Sequence, residues 1–196
     1  MPEKIGRIRL LYIMVGARTV QLDDPVLTDR SGLSRRRPLV RVVLDARMNL
    51  RPDSQLAVSA GEAPVLVFAG KKDGDAKLRE LGIEVLEADP HEPLEVLRAL
   101  ASRSLQSVLL EGGGKVAGSF LDAGLVNKVT FFVAPKIIGG IDAPTAVAGQ
   151  GVDRMAEAFV LNDIEQIQHG SIIIAPDPFV IQKGNTSRNK MKNEKL

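Results

Sequence analysis

Glu111-Gly112-Gly113-Gly114 closes a short apolar run, Val108 to Leu110, and opens a stretch with helical spacing that Gly124 ends. A carboxylate at the carboxyl end of a strand is placed to accept hydrogen bonds from the N–H groups of a heterocyclic ligand. Glycines let a phosphate approach the backbone, and a helix starting near Gly114 offers unpaired amides and the positive end of its dipole. The same letters also describe a glycine-rich turn that does no more than reverse the chain, with Glu111 a solvated carboxylate. The loop is neither G-x-G-x-x-G nor a P-loop, because Lys115 is followed by Val116 and not by Ser or Thr.

A second group of polar residues follows another apolar run. Between Val15 and Arg30 stand the hydroxyl of Thr19, the adjacent carboxylates Asp23 and Asp24, the turn-setting Pro25 and the planar donor fork of Arg30. A guanidinium suits a phosphate, and a contact of that kind is worth roughly 1.5–3 kcal/mol. An aspartate N-cap and a surface arginine are the plainer alternatives. Neighbouring residues point apart, so Asp23 and Asp24 are not expected to share a proton as a catalytic dyad. A third strand-end loop, Asp45 to Arg51, carries Arg47 and Arg51, for which solvation is the favoured reading. In Val133 to Gly140, Pro135 and the glycine pair shape a corner. Lys136 there is expected to serve the corner more than an anion.

Several chemistries lack the residues they need. The chain has no cysteine, and its two histidines, His91 and His169, lie far apart in sequence, so neither a disulfide nor a thiolate or imidazole metal centre is expected. Hard cations need several oxygens, and beside Asp23 and Asp24 only Asp29 is close. Neither histidine sits in a nucleophile-elbow context. The net charge of +2 argues neither for nor against an anionic ligand. No apolar run approaches the roughly 20 residues of a membrane span, and the first ten residues lack a signal-peptide core, which points to a cytoplasmic protein.

These loops need elements to position them. At 196 residues, 44% hydrophobic and 26% charged, the chain suits one globular domain that buries roughly 70% of its unfolded surface. Buried strands are expected at Leu11–Val15, Pro38–Asp45, Ala63–Gly70, Ile83–Asp89 and Leu105–Leu110, and a further strand at Lys128–Pro135. Helical spacing is expected over Asp75–Gly82, Pro93–Arg103 (leucines Leu94, Leu97, Leu100) and Lys115–Gly124, whereas residues 19–32 read as a loop with at most one helical turn. The alternation predicts a three-layer αβα sandwich with a mostly parallel central sheet and ligands at the carboxyl ends of its strands. Beyond Gly140 the alternation changes. Phe159 to Lys183 reads as an antiparallel edge with turns at His169–Gly170 and Pro176–Pro178, while Met155, Phe159 and the late aliphatic residues read as core. Residues 184–196 are polar, basic and aperiodic, and are expected to form a disordered tail that does not bind nucleic acid.

Taken in order, GARTVQLDDPVLTDR, RVVLDARMNL and VLLEGGGKVAGSFLDAGLVNKVTFFVAPKIIGG resemble the reductase domain of the bacterial riboflavin-biosynthesis deaminase–reductase, over about Ile13 to Lys183. The resemblance implies a dihydrofolate-reductase-like fold, NADPH as cofactor, and reduction of 5-amino-6-(5-phosphoribosylamino)uracil to the ribitylamino product. It also implies a homodimer. Carried over position by position, it implies that Thr19, Asp23, Ala46 and Gly113, Gly114, Lys115, Val116, Ala117, Gly118 and Ser119 hold the cofactor. Leu27, Arg30 and Glu111 then contact the phosphorylated pyrimidine; no catalytic acid or base and no metal ligand is implied. Ala46 stands where the family often has Ser or Thr. Arg18 stands where it commonly has a small residue, and either crowds the cofactor or pairs with a phosphate. The family's first strand, with an Asp-Gly-Lys segment, and its zinc-binding deaminase half have no counterpart in these residues. The reductase domain is therefore expected at 1–183 with a sheet edge exposed. A non-catalytic nucleotide-binding or assembly module, and a related reductase with another substrate, are the alternatives.

Overall fold

The computed structural model describes residues 12–29, 38–71, 74–103, 107–111, 113–162, 164, 167–169, 172–174 and 180–182. These fall into two compact units. One comprises residues 12–123 together with Thr145–Gly149, and the other comprises Gly124–Pro144 and the described residues from Gln150 onward.

The first unit is built on five parallel strands: β1 (Tyr12–Gly16), β2 (Val40–Leu44), β3 (Val65–Ala69), β4 (Glu84–Glu87) and β5 (Val108–Leu110), in spatial order β4-β3-β2-β1-β5. Successive side chains of a strand point to opposite faces. All five residues of β1 and of β3 are buried, and four of the five in β2, so both faces of the sheet centre are covered. That is why these strands read as unbroken β-branched and aliphatic runs rather than alternating ones. Val15, Val43, Leu56, Val65 and Val67 form the heart of the core. Among the described residues β5 pairs with β1 alone, and Leu109 on it is 40% exposed.

Helices connect the strands: α1 (Ala17–Asp23), α2 (Gln55–Val58), α3 (Ala76–Glu80), α4 (Pro93–Ala101) and α5 (Gly114–Asp122). Two of them correct the sequence reading. α1 follows β1 without a linking residue and extends into the stretch read as a loop with at most one helical turn; Gly16 caps it in an extended conformation and offers no side-chain signal. α2 is a single turn started by Ser54, whose hydroxyl accepts the Ala57 amide at 3.3 Å. In α4 the buried face is Pro93, Val96 and Leu100, while Leu94 is exposed; proline at the first turn sets the helix register.

The second unit is antiparallel. β6 (Phe132–Val133) pairs with β9 (Ile172–Ile174), which pairs with β8 (Ile167–His169), and β7 (Val160–Asn162) pairs with β10 (Val180–Gln182). Among the described residues no ladder pairing joins these strands to the five-stranded sheet. The expected strand at Lys128–Pro135 shortens to two residues, with Phe132 74% exposed. Met155, read as core, is 90% exposed and belongs to a one-turn 3₁₀ segment, Met155–Glu157. The expected tail, residues 184–196, lies outside the described residues.

Candidate functional site

The parallel pairing of β1 with β5 brings the two strand-end loops together. The Glu111 amide donates to the Met14 carbonyl at 2.8 Å, carrying the ladder one residue further and setting the Glu111 side chain, which is exposed, at the sheet's carboxyl edge. From there α5 begins at Gly114 with Gly113 as its extended N-cap. A Cβ on Gly16 would fall 2.9 Å from Val116 Cγ2, and one on Gly113 would fall 4.0 Å from Thr19 Oγ1. Thr19 and Gly113 are thus neighbours.

The glycines divide by role. Gly113 has φ −63°, so no left-handed conformation requires it; a Cβ there would meet only the Thr19 hydroxyl, at ordinary contact distance. Gly114 and Gly118, one turn apart, are approached by the chain itself. A Cβ on Gly114 would fall 2.4 Å from the Thr145 carbonyl oxygen, and one on Gly118 would fall 1.7 Å from that of Ala148. The segment Thr145–Gly149 thus lies against this face of α5, where the Ala148 amide donates to the Gly114 carbonyl at 2.9 Å. Nothing in the sequence around Thr145 singled out this strap; its signal is the run of small residues that permits backbone-to-backbone contact. Gly112 lies outside the described residues.

The remaining expected positions separate. Lys115 is exposed on the first turn of α5, and Val116 and Ala117 are half-buried behind it. The Ser119 hydroxyl donates back to the Val116 carbonyl at 2.9 Å. Asp23 is exposed at the end of α1. Its neighbour Asp24 is a structural clasp: it ends α1 at φ 40°, its carboxylate accepts the Gln55 amide and its carbonyl accepts the Gln55 side chain, each at 2.9 Å. Leu27, at φ 55°, packs against the core. Ala46 is half-buried at the end of β2. Arg30 lies outside the described residues. Lys136 is exposed in the second unit.

Two buried polar residues organise the surroundings and were not singled out from sequence. Arg41, 1% exposed in the middle of the sheet, donates to the carbonyls of Val26, Ser59 and Ala63 and to the Ser59 hydroxyl. It ties the loop that carries Leu27 to the turn after α2. Burial pulls its guanidinium below the ordinary arginine value, and the Glu62 carboxylate pulls in the opposite sense. The lone charge within Val40–Leu44 was the available sequence signal. Asp45, also 1% exposed, accepts the Leu50 amide at 2.7 Å through Oδ2. Its Oδ1 is buried with no partner among the described residues, and the residue borders a recess with Ala17, Asn49 and Ser54. Among the described residues no cluster of three metal-ligating side chains occurs, and no helix is long and apolar enough to cross a membrane.

Residues 9–173 match the family model described as the RibD C-terminal domain. The chain belongs to that family. The riboflavin biosynthesis protein RibD of Bacillus amyloliquefaciens is 38% identical over 174 residues, covering 84% of this chain and 44% of that protein. The chloroplastic riboflavin biosynthesis protein PYRR of Zea mays is 36% identical, covering 82% and 26%. A solved structure from Thermotoga maritima, described as a diaminohydroxyphosphoribosylaminopyrimidine deaminase/5-amino-6-(5-phosphoribosylamino)uracil reductase, superposes with a TM-score of 0.68 at 28% identity, over 85% of this chain and 44% of that one. RibD of Acinetobacter baumannii gives 0.73 at 24% identity over 88% and 47%, a likeness of fold. The chain thus spans less than half the length of these RibD relatives, and the fold expected from its resemblance to RibD reductase domains is the fold observed.

Proposed function

We propose that the chain is a pyridine-nucleotide-dependent reductase of riboflavin biosynthesis, acting on 5-amino-6-(5-phosphoribosylamino)uracil with NADPH. The observation that carries this reading is the adjacency of Thr19 to Gly113 at the start of α5. This cradle fits a dinucleotide's diphosphate. The first amides of α5 have no intrahelical acceptor, the helix dipole favours negative charge there, and Gly113 adds no side chain beside them. Gly113, Gly114 and Lys115 would hold the diphosphate through their amides, with the Thr19 hydroxyl beside them and Asp23 and Ala46 at the flanking loop ends. When bound, the cofactor supplies the hydride that converts the ribosyl ring to a ribityl chain.

The chain's own contribution is position and electrostatics. Glu111, at the sheet tip beside the cradle, accepts hydrogen bonds from the pyrimidine N–H groups. Leu27 is held in place by Arg41 through the Val26 carbonyl, and presents the wall of the substrate pocket. Arg30 pairs with the substrate phosphate. No side chain is assigned as a general acid. A homodimer in the cytoplasm accompanies this reading, on the strength of the family membership.

The test is oxidation of NADPH in the presence of the phosphorylated pyrimidine, followed by absorbance. Turnover is expected. A chain that is folded by circular dichroism yet turns over nothing at saturating concentrations of both would remove the reading.

A further inference from the structure

The residues that follow α1 are fastened to the single turn α2 by a closed ring of hydrogen bonds. Asp24 opens it: its carboxylate accepts the Gln55 amide and its carbonyl accepts the Gln55 side chain, each at 2.9 Å. The Gln55 carbonyl accepts the Ser59 hydroxyl at 2.6 Å. That hydroxyl oxygen in turn accepts Nη1 of Arg41 at 2.7 Å, and the same nitrogen donates to the Val26 carbonyl at 3.0 Å. Pro25 alone separates Val26 from Asp24, so the ring ends on the loop where it began. Nη2 of Arg41 holds the guanidinium in place through the carbonyls of Ser59 and Ala63.

The backbone inside this ring is strained. Asp24 at φ 40° and Leu27 at φ 55° are both left-handed, and neither is glycine. For Leu27, which has no polar side chain to bond locally, that conformation is unfavourable. Strain of this kind persists only where the surroundings over-determine the backbone, and it gathers at ligand clamps. The anchors sit where they are needed. One falls on Asp24 itself and the other on Val26, the residue before Leu27, with the fixed φ of Pro25 between them. Leu27 is half-buried, packed against the core on one side. Arg41 is 1% exposed. Apolar side chains often secure a buried position as well as charged ones, so what the guanidinium adds is one particular conformation of the loop.

We infer that Arg41, Ser59 and Gln55 are positioning residues for the phosphorylated substrate: they impose the left-handed turn at Leu27, and with it the wall of the substrate pocket, without touching the ligand. The inference rests on the assignment of Leu27 to that pocket above. The members of such a network polarise one another, so a cut at any one point loosens the rest. The cofactor cradle lies outside the ring, since its contact runs from Thr19 to Gly113. The ring therefore acts on one ligand and not on the other.

The experiment uses the full chain. It measures KM for 5-amino-6-(5-phosphoribosylamino)uracil and for NADPH, each varied in turn, by NADPH oxidation. Arg41→Ala lowers stability enough to blur the reading, so the ring is cut at its outer members by Ser59→Ala and Gln55→Ala. Val96→Ala is the control for stability lost without a cut: Val96 is wholly buried on α4, outside the cluster against which Leu27 packs. Leu27→Gly supplies a residue that adopts the left-handed turn unaided. We expect Ser59→Ala to raise KM for the phosphorylated pyrimidine about fivefold and Gln55→Ala about threefold, with KM for NADPH within about twofold of the parent. Val96→Ala should lower the melting temperature and leave both KM values unchanged. In the Leu27→Gly background, where the wall is already lost, the Ser59 and Gln55 substitutions should add less than about twofold. Equal rises in both KM values, no rise, or the full rise again in the Leu27→Gly background would overturn the inference. So would a Val96→Ala variant that raises the pyrimidine KM as much as Ser59→Ala does. A parent that turns over nothing removes the function proposed above and this inference with it; a parent with normal turnover and flat KM values across the variants removes this inference alone.

Discussion

The parallel sheet and the C-terminal ladders are made of similar residues and treat them differently. β3, Val-Leu-Val-Phe-Ala, is buried along its whole length, and Phe68 and Val67 are wholly inaccessible. β6, Phe-Val, shows Phe132 at 74% and Val133 at 52% exposure. Composition therefore does not separate the two. Layering does: strands covered on both faces bury every side chain, whereas a two- or three-stranded ladder of three-residue strands has little to bury against. Stability is expected to reside in the first unit, and substitutions in the second to be mild.

The sharpest probe of that contrast is Arg41→Ala. It strips a buried guanidinium from three carbonyls and a hydroxyl, and should cost about 3–5 kcal/mol, read as a lower urea midpoint with an unchanged slope. A cost below about 1 kcal/mol would show that the sheet tolerates an unpaired polar cluster and would break the comparison. Gly118→Ala comes next. Its Cβ meets the Ala148 carbonyl, so the strap must move, at about 1–3 kcal/mol. NADPH should also bind more weakly, because the strap packs against the helix that forms the cradle; unaltered stability and binding together would show that the strap is loosely held.

A smaller effect is expected at Arg103, whose ion pair with Glu84 raises its pKa chiefly through the hydrogen bond. The pair is partly exposed, so Arg103→Ala should cost less than about 1 kcal/mol and lose its effect in high salt. Against the buried Arg41 this shows that exposure, not the presence of a partner, sets the worth of an arginine. Smallest of all, Met155→Ala should leave the thermal midpoint within error, since the side chain is 90% exposed. A clear loss of stability there would mean that the second unit buries more than its described residues reveal.

Much of the sheet was legible before any coordinates. The five parallel strands announce themselves as short β-branched runs ended by Gly, Asp or Glu, and the Glu111-Gly-Gly-Gly sequence marked a strand-to-helix joint. α1 was read as no more than one turn because its cap is Gly16 and its first turn lacks an acidic residue; the signal at Ser54 before α2 was present and short. Met155 was misread because hydrophobicity alone does not say whether a neighbour exists to cover a side chain. Arg41 and Asp45 escaped notice because a charge inside an apolar run is informative only once its partners are known.

The sequence by itself determined the strand-and-helix alternation, the family and the residues at the two strand ends, since these follow from local periodicity, glycine placement and motif order. Tertiary structure decided which glycines the strap approaches and which arginine is buried. Those outcomes depend on contacts between residues far apart in the chain, such as Gly118 with Ala148 and Ala46 with Gly70, and no local pattern encodes a distance between them.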